Sequence, residues 1–298
     1  ALERGAELLE AANRYAEAEK YLEAALALRA QMSAERSTDY GLCLLKLAAI
    51  ERKTGKTEEA ARFYGLAVNL LPGRMETAPG LLYLGISALA AKKFADSADY
   101  LQRAQALDRS LEGPVLMWTG VLRDRQDQMD GAEAAFLAAM AVEPPNSMQT
   151  FETLTVYAEF LRRHGRDAAA DTLHAQAEVI RKSGFIPTPK PVSEPHATPQ
   201  SNATQRAGGP VSQPIVLSKH DPPYSEEARA VKYSASVLVQ IVVGADGLAH
   251  NLRVVRPAGF GLDDCALTAI ATWKFKPGER EGTPVPVHAM VEVNFRLL

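Results

Sequence analysis

"LLKLAAIERKTGKTEEAARFYGLAVNLLP", residues 44–72, decides how the longer part of this chain is read. Leu44, Leu47 and Ala48 recur at helical spacing, Gly55 interrupts them, and Ala60, Tyr64 and Ala67 resume the pattern until Pro72. The pattern is a helix–turn–helix unit: small residues let two helices approach closely, large ones fill between them, and Pro, lacking an N–H, stops the second helix. The unit recurs. Residues 81–107 repeat it with Leu81, Leu84, Gly85, Phe94, Ser97, Leu101 and Ala104. Further copies use Leu116, Gly120, Ala132, Phe136, Ala139 and Pro144, then Leu154, Ala158, Gly165, Ala170 and Ala177. A weaker first copy uses Leu2, Ala6, Ala18, Leu22 and Ala25. Successive copies start about 35–42 residues apart.

These residues resemble the tetratricopeptide repeat, whose period is about 34 residues, and the match covers most of residues 1–183. The resemblance implies an all-α solenoid with a concave groove lined by the first helix of each pair. In register, the groove takes Leu45, Ala49, Leu82, Ile86, Met117 and Val121, flanked by Arg52, Lys53, Arg125, Arg162 and Arg163. Such a lining suits a peptide with apolar anchors and some negative charge. The alternative is that several of these residues only pack against the neighbouring repeat.

Composition shifts abruptly at Gly184. "GFIPTPKPVSEPHATPQSNATQRAGGPVSQP" scatters seven prolines among Ser, Thr, Gln and Gly, with no apolar period. A segment of this kind buries too little surface to offset its ordering entropy, so residues 184–212 read as a Pro-rich flexible linker. Asn202-Ala203-Thr204 fits a glycosylation sequon, which in such a tract is attributed to chance.

Residues 213–298 read as a small α+β domain. "PYSEEARAV" is a short helix begun by Ser225, "SASVLVQIVV" and "LAHNLRVVRP" are strands joined through Asp246-Gly247, and "GLDDCALTAIATWKF" is an amphipathic helix with Trp273 on its buried face. The closing "PVPVHAMVEVNFRLL" alternates apolar Val285, Val287, Ala289, Val291, Val293, Phe295 and Leu297 with polar residues, the signature of a strand with one buried face. Three strands then form an antiparallel sheet. The tight turn keeps the first two together, so the last lies at an outside edge, blunted by Pro284 and Pro286 and open from His288 onward.

The whole domain resembles the C-terminal domain of TonB-type energy transducers. The matching residues include Pro223-Tyr224, Val237 to Val243, Asp246-Gly247, Leu262-Asp263, Trp273-Lys274-Phe275-Lys276-Pro277, Gly282 and Phe295. The resemblance implies capture of an extended outer-membrane transporter segment as an added strand beside the last strand. The candidate contact residues are Val287, His288, Ala289, Met290, Val291, Glu292, Val293, Asn294, Phe295, Arg296 and Leu297, with Tyr224 as a further candidate. Departures are Tyr224-Ser225 where the family usually has Tyr-Pro, and a repeat array where an inner-membrane helix would be expected.

Net charge is −3, and residues 213–298 hold nine Lys/Arg and nine Asp/Glu, which argues against nucleic acid as a partner. No apolar run approaches the roughly 18–20 residues needed to span a bilayer. The chain starts at Ala1, so an anchor or a signal peptide upstream stays open. Cys43 and Cys265 read as buried thiols, the six histidines show no metal spacing, and no catalytic grouping or cofactor motif is found. The expected protein is therefore a multidomain, non-enzymatic interaction protein of the bacterial envelope. It would be periplasmic, TonB-like, and partnered by a transporter segment or another envelope protein, with energy coupling as its further expectation. The alternative is a soluble periplasmic scaffold that binds peptides in the repeat groove and forms homodimers through its edge strand.

Overall fold

The computed structural model describes residues 1–32, 37–183, 205–206 and 211–297. Most of the linker, including the sequon, lies outside the described residues. The described chain divides into two compact units.

The first unit is helical. Its helices are α1 (Leu2–Ala11), α2 (Tyr15–Gln31), α3 (Thr38–Lys53), α4 (Thr57–Leu70), α5 (Ala78–Ala90), α6 (Phe94–Leu107), α7 (Glu112–Arg125), α8 (Met129–Val142), α9 (Met148–Arg163) and α10 (Asp167–Ser183). Consecutive helices pair as α1–α2, α3–α4, α5–α6, α7–α8 and α9–α10, and successive pairs stack. The architecture is an all-α, tetratricopeptide-like solenoid. Fully buried alanines set the close spacing: Ala48 and Ala60 in one pair, Ala132 in the next but one, Ala158 and Ala170 in the last. Gly120 does the same, since a Cβ there would lie 2.6 Å from the Phe136 ring. Every within-pair turn holds one left-handed residue, namely Asn13, Gly55, Lys92, Asp127 and Gly165. This conformation lets a helix end satisfy its last carbonyls and reverse direction.

Ser225–Tyr233 and Gly259–Gly261 belong to the same unit. The first segment carries α11 (Glu226–Val231), whose start is capped by the Ser225 hydroxyl accepting the Ala228 N–H. The helix lies against α5. Its local sequence announces a helix but contains nothing that selects the unit it joins.

The second unit holds β1 (Gln205–Arg206), β2 (Ile215–Ser218), β3 (Ala235–Val243), β4 (Ala249–Arg256), α12 (Leu262–Thr272), β5 (Lys274–Lys276), β6 (Gly278–Arg280), β7 (Thr283–Val285) and β8 (Val287–Phe295). The main sheet runs β1-β8-β3-β4, with β2–β5 and β6–β7 as separate two-stranded ribbons. Its antiparallel core is the expected β8-β3-β4. The expected three strands become four because β1 adds two residues in parallel to β8, a pairing too short to leave a periodic signal. One face of β3, comprising Val237, Val239, Ile241 and Val243, is fully buried, together with Val287 of β8. Helix α12 covers β3 and β4, and Trp273 is buried with its Nε1 donating to the His220 carbonyl. The β3–β4 turn spans five residues rather than two. It is closed by the Gly244 N–H on the Leu248 carbonyl, with Gly247 at φ 74°.

Both cysteines are buried and free. Burial pushes the Cys43 thiol up to about 11, out of the range of reactive thiols.

Candidate functional site

Strand β8 is held by β3 along its whole length, from Val243↔Val287 to Ala235↔Phe295. The register follows from burial. Val287, Val293 and Phe295 share the core face with the buried side of β3, and a slip by one residue would turn all three to solvent. The other face places Met290 opposite Gln240 and Glu292 opposite Leu238. There the Ser236 hydroxyl donates to Glu292 Oε1 at 2.9 Å, and Arg256 of β4 bonds to both. Three strands are thereby tied across the outer surface.

On its far side β8 meets β1, at Gln205↔Val287 and Arg206↔His288. The edge expected to be open from His288 is covered at that residue by backbone pairing. Among the described residues, Ala289 to Phe295 are paired on one side only. A run of unpaired backbone groups of this length is a template for one more strand. Arg296 and Leu297 follow the strand and are exposed.

Tyr224 stands edge-on to Phe295, with ring centroids 5.9 Å apart and planes at 84°. It is half-buried, and burial raises its hydroxyl above the ordinary tyrosine range. Its ring packs against Phe295, the last residue of the strand.

In the helical unit, four of the groove candidates meet around one cavity of about 220 Å³: Arg52, Leu82, Ile86 and Met117. Val121 and Leu45 are buried, and Ala49 is half-buried. Arg125 donates to the Ala230 carbonyl at 3.0 Å, and Arg162 pairs with Glu159 and Asp171. Arg52 pairs with Glu227 at 2.5 Å. The basic flank read from the sequence is thus already engaged within the unit.

Residues 220–297 match the family model described as Gram-negative bacterial TonB protein C-terminal. Over these residues the chain is similar to a TonB C-terminal domain. Protein TonB of Vibrio cholerae serotype O1 is 31% identical over 105 residues, covering 33% of this chain and 43% of that protein. The chain therefore spans less than half the length of the curated relative it matches. Among solved structures, MamA superposes with a TM-score of 0.45 at 16% identity, covering 60% of this chain and 95% of that one. BtubC (BKLC) from P. vanneervenii gives 0.48 at 21%, covering 65% and 85%.

Just before the matched residues, sequence reasoning missed β2. "IVLS" after Pro214 carried a usable signal, two β-branched residues behind a proline, but all four are exposed and show no alternation. It also missed Glu143 and Glu152 of the helical cavity, which stand at a helix end and within a helix and carry no local mark of a cavity.

Proposed function

We propose that the TonB-like C-terminal domain of this chain captures an extended segment of an outer-membrane transporter, or of another cell-envelope protein, as an added strand along Ala289–Phe295. The reading rests on one observation: β8 is paired by β3 throughout but by β1 only at its first two residues. Backbone hydrogen bonds would supply affinity. Alternate side chains of the incoming strand would meet the outer face at Met290 and Glu292 and supply selectivity. The repeats would act as a second protein-binding surface. Periplasmic residence and participation in energy-coupled transport follow from the same reading. Among the described residues, no helix is long and apolar enough to cross a membrane.

The test is amide hydrogen exchange on the full chain with and without a synthetic N-terminal transporter peptide. Protection confined to Ala289–Phe295, and absent with a peptide N-methylated at alternate backbone nitrogens, is the expected result. Unchanged exchange along β8 would overturn the reading. Protection that instead rises with protein concentration alone would assign the edge to self-association.

A further inference from the structure

The groove cavity carries an unusual charge pattern for a tetratricopeptide-like unit. Its walls are apolar, built from Pro79, Leu82, Ile86, Pro114, Met117 and Trp118, yet three carboxylates line it, Glu143, Glu152 and Glu227, against the single guanidinium of Arg52. Two of the carboxylates are more than nine-tenths buried, Glu143 at 8% and Glu227 at 5% exposure. Each commits one oxygen to a donor of the protein. The Thr153 hydroxyl donates to Glu143 Oε1 at 2.7 Å, and Arg52 Nε to Glu227 Oε1 at 2.5 Å. Each also leaves Oε2 buried without a hydrogen-bond partner. Glu152 differs, since its Oε1 accepts the Phe260 N–H.

A buried carboxylate oxygen without a donor costs on the order of 1–3 kcal/mol or more, and proteins keep few of them. Sterics hold Glu143 where it is. Its Cγ lies against Gly113, where a Cβ would come within 2.6 Å, so the glycine leaves the room this side chain occupies. Burial pushes the Glu143 carboxyl above its ordinary range, with only the Thr153 hydroxyl opposing. Carboxylates set in an apolar lining are the complement of a cation on an apolar stem.

We infer that this cavity binds a primary ammonium or guanidinium group carried on an aliphatic chain, the group held by the carboxylates that line it, Glu143 and Glu227 among them. The sign is opposite to that suggested by the Arg residues along the groove, because those side chains are already paired. The volume, about 220 Å³, is below the roughly 300–1,000 Å³ of drug-sized pockets and suits one side chain or one small amine. Indole faces such as Trp118 add favourable contact with a cation. The same chemistry is offered by a free alkylamine and by a lysine side chain of a partner polypeptide. The inference concerns the helical unit and stands apart from strand capture.

Calorimetric titration of the full chain with n-pentylamine, its neutral isostere pentan-1-ol, and N-acetyl-lysine-N-methylamide tests it. Pentylammonium is expected to bind and raise Tm, with pentan-1-ol at least about tenfold weaker, as befits a lost charge-assisted hydrogen bond. Binding of the lysine derivative as well assigns the site to a partner's side chain; binding of the amine alone assigns it to a free amine. Glu143→Gln and, separately, Glu227→Gln should each weaken the amine about tenfold while far-UV circular dichroism is unchanged. Glu143→Gln keeps an acceptor for Thr153, so it guards against a folding defect at Glu227. No binding of the amine, equal binding of pentan-1-ol, or affinity unaltered in both variants would overturn the assignment.

Discussion

Tyr224 and Phe295 form an edge-to-face pair, 5.9 Å between centroids, that closes the core at the last residue of β8. Phe295 is 2% exposed, whereas Tyr224 is half-buried, so the tyrosine is the lid and the phenylalanine the anchor. Tyr224→Ala removes the pair term, about 0.5–1.5 kcal/mol, along with part of the burial of one ring. Urea denaturation should show a loss of about 1–2 kcal/mol. Phe295→Ala should cost about 3–5 kcal/mol. If Tyr224→Ala leaves stability unchanged but abolishes peptide protection of β8, Tyr224 is a partner contact and not a packing residue.

Gly120 and Phe136 make the same kind of argument inside the repeats. Helix propensity alone predicts that Gly120→Ala stabilises by about 1 kcal/mol. The added Cβ would stand 2.6 Å from a ring that is fully buried, stacked on Tyr157 and tilted against Phe160, so the ring has nowhere to go. Overpacking costs about 1–3 kcal/mol and outweighs the propensity gain. The expected thermal unfolding shift is downward, and Phe136→Leu on the Gly120→Ala background should recover part of it.

What the sequence disclosed and what it hid follow one physical line. Ala48, Ala60, Ala132 and Ala158 are visible because small residues at helical spacing mean close helices wherever they occur. The turn residues are half visible. Gly55 and Gly165 announce a left-handed conformation, but Lys92 and Asp127 adopt it with no such mark, because the stacked pairs impose it. The alternation from Val285 to Leu297 revealed β8, which runs from Val287 to Phe295. It did not reveal β1, since two residues have no period. The unit joined by Ser225–Tyr233 and the burial of Glu143 depend on contacts distant in sequence. Glu143, followed by two prolines, reads locally as a charge at a helix end, and only Gly113, thirty positions back, hints at the space it needs.

Gly247 is constrained twice over. Its φ is 74°, and a Cβ there would fall 2.6 Å from the Phe275 carbonyl oxygen, beside the Phe275 N–H that donates to the Gly247 carbonyl at 2.9 Å. Gly165 shares the φ, at 73°, but has nothing within 4 Å of such a Cβ. The two positions separate backbone strain from collision. Gly165→Ala should cost about 1 kcal/mol, the strain alone, and Gly247→Ala about 2–4 kcal/mol, because the β3–β4 turn must also release Phe275. Equal losses in chemical denaturation would show that the Phe275 strand gives way freely.

Glu143 also sets a pH dependence whose sign is fixed. Its folded carboxyl titrates above the unfolded value because burial disfavours the charge. The folded state therefore binds the proton more tightly than the unfolded chain does. Stability from this group is fully present below the unfolded pKa and is lost as pH rises through the folded one. Glu143→Gln, neutral at every pH and able to accept from Thr153, should match the parent near pH 4 and be the more stable protein at pH 7. Equilibrium unfolding of both proteins across this range, in amine-free buffer, reads the difference directly. Saturating pentylammonium should then reverse the order at pH 7, because it gives the parent's carboxylate the cation that the glutamine cannot hold. A parent that stays less stable than Glu143→Gln under saturating amine would mean that the cation does not reach Glu143.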